Sequence, residues 1–285
     1  MRLGIFARTF PRDTLEETLD AVAAHGFDLV QFNMACVGLP TLPERIDPDV
    51  CKQVAEAFAM RRIRMAAISG TFNMIHPDRV QRRAGLRGLR TLAEACLALG
   101  TNTITLCTGT RDPDDMWRSH AANDSADAWH DLEASTREAT RIADGSGIVV
   151  AFEPEVANVV DSPEKARRLL GTINSPRLKV VMDAANLFHY GELERQRDVI
   201  RNAFALLGRD IVLAHAKDIT KDGEAGHEPA GKGRLDYVYY LSQLASHQPN
   251  CPLILHGLSE AQVDESVAFL RRVIAPVMSG TVSSC

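Results

Sequence analysis

The feature that most constrains this chain is an alternation. Eight short apolar runs are separated by longer amphipathic stretches. The runs are RLGIFA (2–7), FDLVQFN (27–33), IRMAAIS (63–69), TNTITLC (101–107), IVVAFEP (148–154), LKVVMDA (178–184), DIVLAHA (210–216) and PLILHG (252–257). Short runs rich in Ile, Val, Leu and Ala read as strands buried on both faces. The first stretch between them, TLEETLDAVAAHG (14–26), has Thr14 as N-cap, Glu17 three residues on, and Gly26 as its stop. Helical patterns recur over 49–62, 79–100, 125–147, 162–173, 193–208, 236–247 and 259–277. Strand and helix in turn, eight times over 285 residues, predict a (β/α)8 TIM barrel. An open doubly wound sheet is the alternative. The chain carries neither G-x-G-x-x-G after its first strand nor G-x-x-x-x-G-K-[ST], the two commonest nucleotide signals. One barrel domain is expected over residues 1–278, with a flexible tail at 279–285.

Charge narrows the partners. The formal net charge is −5, which suggests neither a nucleic acid nor an anionic membrane. The N-terminus lacks the apolar core of a signal peptide, and no run approaches the roughly 20 apolar residues of a membrane helix. The six cysteines form no Cys-x-x-Cys pair, and several lie in apolar runs. They read as reduced, structural thiols, and hence the protein as cytoplasmic. A homo-oligomer is left open. Two polar segments, 108–124 and 217–235, follow strands and are expected to be substrate loops or lids.

Chemistry gathers at four successive strand ends: Glu153 and Glu155, then Asp183 and Asn186, then His215, Lys217 and Asp218, then His256. A barrel brings such ends together on one face. Two carboxylates and two imidazoles, Glu153, Asp183, His215 and His256, suit a single divalent ion such as Mn²⁺, Co²⁺ or Zn²⁺ better than Ca²⁺, with Mg²⁺ also compatible. Without a cation two buried carboxylates would repel. Substrate contacts are expected from Glu155, Asn186, His189, Lys217, His76 and His227. Glu260 is the rival to His256, although it is expected in the first turn of the last helix, where the positive end of the dipole favours a carboxylate.

The motifs FEPE, MDAANLF, HAKD, GKGRLDY and LILHGLSE, with FNMIHPD and TLCTGT before them, resemble the xylose isomerase-like TIM-barrel superfamily of sugar phosphate isomerases and epimerases. The resemblance spans about residues 3–275. It implies one divalent metal, often Mn²⁺, held by glutamate, aspartate, histidine and glutamate from strands five to eight. The first three fall on Glu153, Asp183 and His215. The fourth falls on His256, where the superfamily usually has glutamate, and Asn186 replaces its usual histidine. Relatives that repair abasic DNA bind three zinc ions. His227 resembles one survivor of that larger ligand set, but Ala225 stands where an aspartate is expected and Asn186 removes another ligand.

The resulting expectation is an isomerase or epimerase acting on a small sugar or keto-polyol. Glu153 abstracts the proton beside a carbonyl, with His256 as second catalytic group and a metal-stabilised ene-diolate between. Dehydration starts with the same step. Metal-assisted hydrolysis and a catalytically lapsed sugar-binding barrel are the other classes.

Overall fold

A computed structural model describes residues 1–280. The expected residues 281–285 of the tail lie outside the described residues. The strands are β1 (Arg2–Phe6), β2 (Leu29–Phe32), β3 (Arg64–Ser69), β4 (Thr103–Cys107), β5 (Val149–Glu153), β6 (Leu178–Met182), β7 (Ile211–Asp218), a two-residue β8 (Glu228–Pro229) and β9 (Pro252–Leu255). The helices are α1 (Leu15–Ala24), α2 (Pro48–Met60), α3 (Arg79–Leu99), α4 (Ala126–Gly145), α5 (Pro163–Ile173), α6 (Gln196–Leu207), α7 (Tyr237–His247) and α8 (Val263–Met278). Strands β1 to β7 pair in parallel in chain order, and β9 closes the ring between β7 and β1. The chain is therefore a (β/α)8 barrel, as the alternation predicts.

Local signals set the helix ends. Thr14 and Glu17 form the expected capping box, each side chain accepting from the other's backbone N–H at 3.2 Å. Gly100 ends α3 at φ 99°, a left-handed setting that costs a side-chain-bearing residue. Two helices start later than their periodicity suggests. Residues Leu193–Arg195 and Glu260–Gln262 form 3-10 turns ahead of α6 and α8. Ser259 and Gln262 close a capping box on the second of these turns, so the tighter turn takes the residues expected to open the helix.

The strands are buried on both faces. Leu29, Ala67, Ala151, Val181, Leu213 and Ile254 fill the inside of the barrel. A larger apolar layer packs between strands and helices. Among the described residues no helix is long and apolar enough to cross a membrane.

Candidate active site

The C-terminal strand ends open into a cavity of about 590 Å³. Glu153, Glu155, Asn186, His215, Lys217, His227 and His256 line it. Asp183, 0% exposed, lies beneath at the end of β6. The backbone turns there into a 3-10 segment, Ala184–Asn186, which Asp183 caps by accepting from the Ala185 N–H at 3.1 Å.

Three of the expected ligands converge. One ligand atom each from Glu153, Asp183 and His215 lies within 4.8 Å of the others. His215 Nδ1 is 3.4 Å from Glu153 Oε2 and 3.6 Å from Asp183 Oδ2. Metal bonds of about 2.1 Å at tetrahedral to right angles separate neighbouring donors by about 3.0–3.4 Å, close to this spacing. His215 Nδ1 and Asp183 Oδ2 are buried and without a hydrogen-bond partner. Buried polar atoms that converge in this way fit a divalent cation.

The surrounding charges are tightly linked. Lys217 Nζ sits 3.3 Å from Asp183 Oδ2. Burial works against the Lys217 charge, but Asp183, Glu153 and Glu155 outweigh it and hold the ammonium protonated. Burial likewise opposes the Asp183 charge, yet Lys217 and His215 keep its carboxyl below the usual range. Burial would lower His215 as well, but the Glu153 and Asp183 carboxylates raise it to about 9. Glu155 has the opposite balance. Burial, then the charge of Glu153, pushes it up to about 8, so it carries its proton at neutral pH.

His256 stands apart from the three-residue cluster. Its ring stacks on His215 at 4.8 Å and 17°, and on Phe6 at 5.2 Å and 26°. Burial and the positive charges of His215 and Lys217 hold it well below the ordinary histidine value, so it is a neutral imidazole. Its Nδ1 is buried without a partner. The rival Glu260 is turned away, gripped by Arg12 in a two-pronged ion pair at 2.7 and 2.9 Å.

The other expected contacts divide. Asn186 Nδ2 donates to Glu153 Oε1 at 2.6 Å, so it orients the carboxylate as well as facing the cavity. His227 lies exposed on the cavity wall. His189 and His76 do not line this cavity. Their rings hold backbone instead, His189 Nε2 at 3.1 Å from the Asp161 carbonyl and His76 Nε2 at 3.0 Å from that of Pro113. Each thereby ties a strand-end loop to its neighbour.

Both polar loops are ordered over the site. Asp218 accepts from the N–H groups of Ile219, Gly231 and Leu235 at 2.8–3.0 Å, so one carboxylate fastens both ends of the second loop. Gly233 fits there only without a side chain, because a Cβ would stand 2.3 Å from Asp218 Oδ1. The first loop brings Trp117, 49% exposed, and Arg118 to the cavity wall. Sequence reasoning missed these two, together with Phe6 and Gln31. Gln31 is the one that left a signal, an amide inside an apolar strand run.

Fold and site together describe a TIM barrel with a metal-capable cluster at the strand ends. The xylose isomerase-like TIM barrel family model matches residues 19–273, and the chain belongs to that family. No curated protein is close enough in sequence to match. Solved structures match across nearly the whole chain. A D-tagatose 3-epimerase-like protein has a TM-score of 0.77 at 14% identity, covering 99% of this chain and 100% of its own. An L-ribulose 3-epimerase has 0.75 at 15%, covering 98% and 96%. The IolI protein with a binding zinc atom has 0.71 at 18%, covering 99% and 100%.

Proposed function

We propose that the chain is a divalent-metal-dependent isomerase or epimerase of a small ketose or keto-polyol. The observation that carries this reading is the convergence of Glu153, Asp183 and His215 at the floor of a polar cavity. The printed names of its structural neighbours, a D-tagatose 3-epimerase-like protein and an L-ribulose 3-epimerase, support ketoses as the substrate class. Mn²⁺ is the ion we assign, since carboxylate and imidazole donors together suit it. A divalent cation bound there supplies Lewis-acid polarisation of the substrate carbonyl.

The side chains divide the rest of the work. Glu153 takes the proton from the carbon beside the carbonyl. Asn186 holds Oε1 of that carboxylate, which leaves Oε2 facing the cluster. Lys217, a buried ammonium beside Asp183, offsets the negative charge that grows on the substrate oxygens. Glu155, protonated at neutral pH, can donate a hydrogen bond to a substrate oxygen. His256, a neutral imidazole with a free buried nitrogen, is the second proton carrier and the fourth candidate ligand. The 108–124 and 217–235 loops exclude water from the reacting carbon.

The test is proton exchange. Protein supplied with Mn²⁺ should move solvent deuterium into D-tagatose or L-ribulose beside the carbonyl, read by mass spectrometry. Glu153→Gln should abolish exchange while part of the metal binding remains. Absence of exchange with every ketose tried, in protein that binds Mn²⁺, would overturn the reading. Exchange undiminished in Glu153→Gln would remove Glu153 as the base.

A further inference from the structure

We infer that Gln31 is a positioning residue that fixes the hydrogen of His215 on Nε2 and so keeps Nδ1 open to a cation. The inference rests on the metal reading above and adds to it a residue outside the ligand set.

Gln31 lies on β2, across the barrel from His215 on β7, and is 3% exposed. Its Oε1 stands 2.9 Å from His215 Nε2. Its amide nitrogen stands 3.1 Å from Ser69 Oγ on β3 and 3.3 Å from Thr105 Oγ1 on β4. The two hydroxyls take the two amide hydrogens, which leaves the amide oxygen for the imidazole. An amide oxygen only accepts, so Nε2 must carry a hydrogen. A cation bound at Nδ1 displaces the proton that the two carboxylates otherwise hold there, and the neutral ring keeps its one hydrogen on Nε2. Nδ1 faces Glu153 Oε2 and Asp183 Oδ2 and has no hydrogen-bond partner. Turning the amide over would aim an N–H at Nε2 and move the ring hydrogen to Nδ1, where it blocks the donor pair. Side chains from β2, β3 and β4 thus determine which nitrogen of a β7 residue is available.

Gln31 reaches the cavity wall, but its amide is already engaged at both ends. At 3% exposure it is bonded to His215, Ser69 and Thr105. An amide in such a place is costly unless both of its ends are bonded. Here both ends are.

Two measurements on the full-length protein test the inference. Nitrogen-15 spectra of histidine-labelled, Zn²⁺-loaded protein should show His215 protonated at Nε2. Calorimetric titration with Mn²⁺ alone should show Gln31→Met binding about 10–100-fold more weakly than the unmodified chain, the usual cost of losing a partner behind a metal-binding histidine. Gln31→Glu, which keeps an accepting oxygen, should recover most of that loss. A generally loosened fold would weaken both variants alike. A His215 ring protonated at Nδ1, or Mn²⁺ affinity unchanged in Gln31→Met, would overturn the role of Gln31. Failure of the unmodified chain to bind Mn²⁺ or Zn²⁺ would instead strike the metal reading itself. Should Gln31→Met not fold, the spectrum of the metal-free unmodified protein, recorded above the pH at which His215 becomes neutral, decides the question, because no metal then dictates which nitrogen keeps the hydrogen.

Discussion

Asn186 links two parts of the site: it donates to Glu153 Oε1 at 2.6 Å and accepts from the Gly226 N–H at 3.2 Å. One side chain therefore aims the proposed base and anchors the loop that covers it. Asn186→Ala frees both. Misplacing a reacting group by about 1 Å costs on the order of 100-fold in rate. We expect kcat for ketose turnover to fall by about 10–100-fold, with Mn²⁺ affinity changed far less. Steady-state kinetics beside calorimetry separates the two effects.

The first loop makes a prediction about pH. Asp112 accepts two bonds from Arg118 at 2.6 and 2.7 Å, and one each from the Asp114 and Asp115 N–H groups at 2.9 Å. The Arg118 guanidinium, then those N–H groups, hold the carboxyl well below the usual carboxylate range. A lowered native value means the contribution is complete above the unfolded value, about 3.9, and is lost only as pH falls through the native one. Hydrogen exchange over 108–124, corrected for intrinsic rates, should therefore show equal protection at pH 7 and pH 5. Asp112→Asn should lower that protection at both.

Thiol chemistry offers a third check. Burial pushes the Cys96 and Cys251 thiols up to about 12 and Cys36 up to about 11, and it raises Cys51 and Cys107 as well. The thiolate is the reacting form, so these five should resist iodoacetamide at pH 8 while the chain is folded. Peptide mapping should find them labelled only after denaturation. Labelling of Cys107 in the native protein would mean that the C-terminal end of β4 opens to solvent.

Much of the fold is legible in the residues because the alternation is strong. Each of the eight apolar runs became a barrel strand, shortened by a residue or two at most ends. The cluster of Glu153, Asp183 and His215 is legible for the same reason, since a barrel brings consecutive strand ends together. The roles of Gln31 and Asn186 are not. Gln31 meets His215 across 184 positions, and that meeting depends on barrel closure and on one rotamer at each end. His76 and His189 show the converse. Their spacing after a strand resembles that of a site residue, yet nearby carbonyls take their ring nitrogens. Loop backbone competes for polar side chains, and linear spacing does not record which partner wins.

The seam of the barrel has a consequence for how the chain comes to be folded. Leu3 and Ile5 on β1 pair with Leu253 and Leu255 on β9, and β9 also completes the edge of β7. During synthesis from the N-terminus, β1 must wait for almost the entire chain before its second neighbour exists. Until then β1 and β7 are open edges, the kind that recruit other chains. His256 arrives with the strand that ends this exposure. The last part of the cavity wall is thus laid down by the same step that closes the ring, so a nascent or truncated chain lacking β9 has neither a sealed sheet nor a finished site.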